Sequence, residues 1–299
     1  MRQQTKEIIN IIAFFVLLGA IIFFYMVYPL NRTKAFMGRP NLDDYKERAD
    51  SIIANDDSTW SALGLSPDTF RVDTDGLTTV AGLICMPEDS VIGTVIILHD
   101  DGQNRDSVIS LAMAFLSSGY SVIAYDQRAA GRSSGEYIGD GWYEANDLNE
   151  IIVYLDLRNQ LVHPVSIVGY GISADAAILS SLDEQRIDKV AAMNPCLSSS
   201  RWLEILKSKN DLWWWPFWKA VTWWYYELRS SYAAPYREID DIKAVRVPTM
   251  IFVEKSWMDD AEVLRVKELS SDTLLTLHPT PFDESGRLDR ILEFVTGQK

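Results

Sequence analysis

From Thr94 onward, short and largely apolar runs alternate with segments of helical period. Thr94–His99 (TVIILH), Tyr120–Tyr125 (YSVIAY), Val165–Val168, Val190–Met193, Thr249–Val253 and Thr273–Leu277 read as strands. A strand without a polar face must be covered on both sides, so the pattern predicts an α/β fold with a mostly parallel sheet. Ser107–Ser118, Tyr143–Leu157, Ile172–Leu182, Ala261–Leu269 and Leu288–Val295 supply helices for both faces, with Asp106 as the cap of the first. Upstream, Thr69–Thr74 and Leu77–Met86 flank Asp75-Gly76, a strong hairpin signal. The hairpin adds antiparallel strands at one edge and brings the sheet to eight.

Between Cys196 and Val247 the alternation breaks. Seven of the 10 tryptophans fall here: Trp202, Trp213, Trp214, Trp215, Trp218, Trp223 and Trp224. The stretch 197–247 reads as a helical cap over the carboxyl ends of the strands. Aromatics occupy nearly every side of it, so spacing leaves three readings open. These are a cap packed on the body, a lid facing a membrane, and a roof over an apolar ligand pocket.

Ile8–Leu30 contains no charged residue and one strongly polar one, Asn10. As a helix it reaches roughly 34 Å, enough for a hydrocarbon core of about 30 Å. It is too long for an ordinary signal-peptide core, and no clear cleavage site follows Tyr28-Pro29-Leu30. The expected layout is a short flank (1–7), a single-pass anchor (8–30), a juxtamembrane linker (31–66) and a body (67–299). Tyr25, Tyr28 and Phe36 suit the far interface, and Asn41–Asn55 has the pattern of a short amphipathic helix. Basic residues flank both sides (Arg2 and Lys6; Arg32, Lys34 and Arg39), which leaves the orientation open.

The net charge is −14, and with Glu7 the only acid before residue 40, the acidity belongs to the body. Such a body repels phosphate backbones, so nucleic acid is not an expected partner. Two cysteines, Cys85 and Cys196, exclude a disulfide framework and a Cys-rich zinc site; whether the two pair is not deducible. His99-Asp100-Asp101 lacks a spaced series of ligands, and Gly169-x-Gly171 lacks the rest of a phosphate-cradling loop. No metal and no cofactor are expected.

The order of these pieces resembles the α/β-hydrolase superfamily, near membrane-anchored members related to esterases and serine peptidases. The likeness runs from about Pro67 to Val295. It rests on TVIILHDDGQN, on Asp126-x-Arg128-x-x-Gly131-x-Ser133, on Trp142-Tyr143-Glu144-x-x-Asp147-Leu148, and on the strand, turn and helix at 165–182. The resemblance implies a Ser nucleophile on a G-x-S-x-G turn, an acid after a later strand and a His after the last one. Here the turn reads Gly169-Tyr170-Gly171-Ile172-Ser173, which puts Gly171 at the nucleophile position. The acid position falls near Trp257, and the His position at Pro281 or Phe282.

A frame shifted by two gives Gly171-Ile172-Ser173-Ala174-Asp175 and an alternative triad of Ser173, Asp259 and His278. The oxyanion region would be His99, Asp100 and Ile172, with a carboxylate where the family has glycine. Asp126, Arg128, Gly131, Glu144 and Asp147 read as a polar framework of the fold. Three departures on a retained scaffold predict a degenerate hydrolase at a membrane. It would bind an apolar or lipid-like ligand, or a protein partner, beneath a cap bearing Trp213, Trp214, Trp215, Trp218, Trp223 and Trp224. The alternative is an active serine hydrolase of the esterase, lipase or peptidase type using Ser173.

Overall fold

β3 (Gly93–Leu98) and β4 (Tyr120–Tyr125) are buried along their whole length, as strands covered on both faces must be. The computed structural model describes residues 2–28, 30–31, 58–76, 78–135, 137–209, 218–229, 235–270, 274–280 and 284–297. The sheet has eight strands in the order β1-β2-β4-β3-β5-β6-β7-β8. β1 (Asp68–Thr74) and β2 (Thr78–Cys85) form the hairpin, with Asp75 and Gly76 both at positive φ. β2 runs antiparallel to β4, whereas β3, β4, β5 (Val165–Tyr170), β6 (Lys189–Met193), β7 (Thr249–Val253) and β8 (Leu275–Pro279) run parallel. The sheet is therefore mixed, with its antiparallel strands at one edge. β1 alternates exposed and buried residues, which suits an edge strand with one face in the core.

Nine helices are described: α1 (Arg2–Ile22), α2 (Ser58–Ala62), α3 (Ile109–Ser117), α4 (Trp142–Leu157), α5 (Ile172–Asp183), α6 (Ser199–Lys209), α7 (Trp218–Arg229), α8 (Ala261–Leu269) and α9 (Glu284–Thr296). α4, α5 and α8 pack on one face of the sheet through Leu148, Ile151, Ala174, Ala177, Val263 and Val266. α2, α3 and α9 pack on the other through Trp60, Leu111, Phe115, Ile291 and Val295. Strand order places the site. β3 leads through α3 on one face to β4, while the next parallel strand on its other side, β5, leads into α5 on the opposite face. The two loops diverge at the carboxyl ends of β3 and β5 and leave a crevice between them.

The motif 126–133 folds as a buried polar turn. Asp126 accepts from the amides of Arg105 and Arg132, each at 2.9 Å. Gly131, at φ +45°, leaves room for that carboxylate, since a Cβ would lie 2.1 Å from its Cγ. Arg128 donates two bonds of 2.7 Å to Asp147 and one of 3.0 Å to Asp75, and stacks on the Tyr143 ring. Glu144 accepts from the amides of Gly139 and Gly141 at 2.7 and 3.1 Å.

Four expectations are corrected. Residues 58–65 belong to the body and not to a linker: Trp60 is fully buried and its Nε1 donates to Asp106 at 2.8 Å. Asp106 is thereby engaged, and the cap is Asn104, whose side chain accepts from the Asp106 amide at the head of a short 3-10 turn. The insert ends before 247, because Ile242 and Val245 join the core beside α8. β8 lies two residues later than expected, which places His278 inside the strand. Phe36 and Asn41–Asn55 lie outside the described residues.

Gln3–Val27 forms a helix long and apolar enough to cross a bilayer, and none of it is buried; signal sequences share these properties. Cys85 and Cys196 are free, buried thiols.

Arg128→Ala strands Asp147 as a buried carboxylate without its cation. It is expected to cost about 3–5 kcal/mol of stability, read by urea unfolding of the full chain in detergent.

Candidate functional site

At the end of β3 the His99 ring is buried and both its nitrogens are spent. Nε2 accepts from the Gln127 amide at 2.9 Å, so the proton sits on Nδ1, which donates to the Asp100 carbonyl at 2.8 Å. Burial holds its pKa below the usual imidazole value, against the backbone bond and nearby carboxylates. His99 is a neutral brace in the wall of the crevice.

Opposite, β5 turns sharply into α5 at Gly171, which has φ +57° and ψ −123°. This conformation is strained for any side-chain-bearing residue. It is pinned from both sides: the Gly171 amide donates to the Met193 carbonyl at 2.8 Å, and its carbonyl accepts from Ala174 at 3.0 Å. A Cβ built on Gly171 would lie 1.9 Å from Asp100 Oδ1 and 2.8 Å from its Cγ. The half-buried Asp100 carboxylate therefore fills the space that a side chain at residue 171 would enter. Its Oδ1 accepts from the Asp101 amide at 2.8 Å.

Ser173 stands one step behind this apex, buried in the first turn of α5. Its hydroxyl donates to the His99 carbonyl at 2.6 Å, tying α5 to the end of β3. The helix sits close to its strand because residue 169 is glycine; a Cβ there would lie 2.4 Å from the Ser173 carbonyl oxygen. His278 is elsewhere. It pairs with Phe252 across β7 and β8, and the two rings lie 5.7 Å apart on the α9 side. Burial, and then Arg290, lower its pKa. Asp259 is exposed. Ser173, Asp259 and His278 make no hydrogen bonds to one another among the described residues. His163, the remaining imidazole, lies at the amino end of β5 and meets Asp188 at 3.1 Å.

The loop after β7 braces the cap. Asp260 caps α8 and pairs with Arg201 of α6 at 2.7 Å, and that guanidinium stacks 4.3 Å above the Trp257 ring. Trp202, Leu203, Leu206, Trp218, Tyr226 and Cys196 form the cap's own core, with Ile172 of α5 packed against it. Trp218 is thus an internal residue, Trp223 is half-buried and Trp224 faces outward. Phe282, Trp213, Trp214 and Trp215 lie outside the described residues. Among the described residues no three His, Cys, Asp or Glu side chains converge as a metal ion would require.

The sequence reading missed the joint between cap and body. Arg237, Asp140 and Asp175 are all buried, and the guanidinium meets the two carboxylates at 3.2 and 3.0 Å. Tyr226 and Ser199 donate to Asp140 at 3.0 and 2.8 Å, while Asp175 accepts from the amides of Cys196 and Leu197 at 2.6 and 2.8 Å. Asp175, which falls where the shifted serine frame calls for the closing glycine, is the anchor of the cap. Arg237 and Asp140 stand 97 residues apart, so no local pattern could have joined them.

A family model described as X-Pro dipeptidyl-peptidase (S15 family) matches residues 39–274. An uncharacterized protein of Bacillus subtilis (strain 168), YqkD, is 30% identical over 100 residues, which are 33% of this chain; the chain spans about a third (32%) of that relative's length. Among solved structures, an esterase of Pyrococcus furiosus superposes with a TM-score of 0.59 at 19% identity, over 79% of this chain and 93% of that one. The α/β hydrolase GrgF from Penicillium sp. gives 0.57 at 15% identity, over 78% and 99%. An α/β serine hydrolase without lid from Xanthomonas campestris gives 0.51 at 14% identity, over 78% and 93%. At these identities the structural likeness establishes the α/β-hydrolase fold.

Gly171→Ala forces a methyl group onto the Asp100 carboxylate from a backbone that disfavours it. The expected loss is about 2–4 kcal/mol. In an Asp100→Gly background the loss shrinks to the backbone share, and a double-mutant cycle of urea unfolding reads a coupling of at least roughly 1 kcal/mol.

Proposed function

The chain belongs to the X-Pro dipeptidyl-peptidase (S15) family and has an α/β-hydrolase fold, and from that premise we propose that it is a membrane-anchored hydrolase-like protein that has lost serine catalysis. It uses the crevice beneath its cap to bind an apolar or lipid-like ligand or a partner protein. The observation that carries this reading is the Asp100 carboxylate beside Gly171, 1.9 Å from where the elbow side chain would begin.

Acyl transfer through a covalent intermediate needs a nucleophile, a base within hydrogen-bond reach and donors for the oxyanion. Gly171 has no side chain to attack with. Ser173 points its hydroxyl at the His99 carbonyl. His99 has no free nitrogen, His163 is at the far end of the sheet, and His278 rests on Phe252. A developing oxyanion about 4 Å from Asp100 would meet roughly 4 kcal/mol of repulsion at an effective dielectric near 20. That equals what one oxyanion donor supplies, about 2.7–4 kcal/mol. The site opposes the family's chemistry while keeping its architecture, which favours binding over turnover.

The cap supports an apolar occupant only through what it carries to the elbow: its aromatics Trp202, Trp218 and Tyr226 are filled by one another, and Ile172 of α5 extends that apolar packing to the apex. The bilayer-length helix Gln3–Val27 supports the location as a single-pass anchor.

Full-length protein treated with a fluorophosphonate probe is expected to stay unlabelled while circular dichroism reports a folded α/β domain. Labelling that disappears in Ser173→Ala would establish the alternative, an active serine hydrolase, and overturn this reading.

A further inference from the structure

The cap presents an aromatic face that its own core does not use. Trp224 and Leu228 lie one turn apart on α7 and are 49% and 48% exposed. Tyr236, 42% exposed, joins them through Trp223, whose ring is 4.8 Å from its own. The base of this patch is tied to the cap's core: the Trp223 and Trp202 rings meet Tyr226 at 5.1 and 5.3 Å, and Tyr226 is bonded to buried Asp140. Exposed Trp and Tyr beside Leu on a fixed helix are the side chains that settle at the headgroup level of a bilayer.

Charge and connectivity select the same occupant. The chain is strongly acidic, but residues 200–236 carry five basic side chains (Arg201, Lys207, Lys209, Lys219, Arg229) against three acids (Glu204, Asp211, Glu227). Three of these cations are matched within the fold, Arg201 by Asp260 and Lys207 and Lys219 by Glu204, so the insert keeps a slight positive excess; beside a body this acidic it is the part that an anionic surface repels least. Only residues 32–57 separate the described end of the N-terminal helical segment from α2. Fully extended, they reach about 90 Å. If α1 is held in a bilayer, that bilayer stands at a high effective concentration for every face of the body.

We propose that the α7 face, with Trp224, Leu228 and Tyr236, docks on the anionic lipid surface of the membrane that α1 enters. This rests on the anchor reading of Gln3–Val27.

The test uses full-length protein reconstituted in vesicles of phosphatidylcholine with phosphatidylserine. A single thiol is introduced as Leu228→Cys and labelled with an environment-sensitive NBD dye. The native thiols do not compete: burial pushes Cys85 up to about 11 and Cys196 well above the usual range. The reference is Leu157→Cys, 79% exposed at the opposite end of α4 from Trp142, which packs on the cap. The 16 residues of α4 put that site about 24 Å along the helix.

The expected result is a blue shift and a roughly two-fold rise in emission at 228 but not at 157. Both should weaken in vesicles of phosphatidylcholine alone. Vesicle flotation separates the two layers of the argument. Protein that floats while the 228 label matches the 157 label overturns docking and leaves the anchor standing. Protein that does not float overturns both. A 228 shift that follows protein concentration in detergent without vesicles means a second copy covers the face, and also overturns docking.

Discussion

The crevice between β3 and β5 exists because the chain leaves these neighbouring strands toward opposite faces of the sheet. Two peptide segments that part in this way cannot close the space between them with their own backbones. What fills it is decided by the first residues past each strand. On one side these are His99 and Asp100, on the other Gly171 and Ile172. The Ser173 hydroxyl stitches the two sides together through the His99 carbonyl, while the neutral His99 ring holds its own loop to the one after β4 through the Asp100 carbonyl and the Gln127 amide. The groups closest to the apex thus serve the backbone, and the half-buried Asp100 carboxylate stands against the apex itself.

Asp100 and Gly171 are two halves of one arrangement. A carboxylate this close to the elbow is compatible only with a residue that lacks a Cβ, and a glycine there leaves a space that the carboxylate occupies. The cap is secured by the same kind of logic at larger scale. Arg237, Asp140 and Asp175 are buried charges that would be costly alone; the guanidinium reaches both carboxylates, which also accept from Ser199 and Tyr226 (Asp140) and from two amides (Asp175). Their value lies in specificity, since the entry of the insert (Cys196, Leu197) and its exit (Arg237) are drawn to the same carboxylate on α5. Arg201 adds a second brace through Asp260 and Trp257. The cap is therefore a fixed roof over the elbow.

Most of the sheet was legible because periodicity is a local property. Apolar runs such as TVIILH and YSVIAY have no polar face to expose, and Asp75-Gly76 favours positive φ whatever surrounds it. The turn at 169–173 was legible for the same reason, since glycines at 169 and 171 mark close packing and a positive φ. Errors fell where a distant partner decides. Trp60 was read with the linker because its place in the core depends on α3 and Asp106, far along the chain. Asp106 was read as a cap, yet it serves Trp60. The strand pattern 273–277 stops one residue short of His278, but pairing with β7 carries β8 through Pro279 and turns the ring onto Phe252.

The amino-acid sequence by itself determined the α/β class, the eight strands, the interrupting aromatic insert, the bilayer-length N-terminal helix and the glycine at the elbow. Each is written in residues close to one another, whose spacing alone dictates which face is apolar and which backbone angles are allowed. Only the tertiary structure decided that Asp100 stands against Gly171, that Ser173 is bonded to a backbone carbonyl and to no imidazole, and that Arg237 closes the cap onto Asp175. Those facts depend on strands and loops brought together from positions tens of residues apart. Such contacts are set by the order of strands in the sheet, a property that no stretch of sequence carries alone.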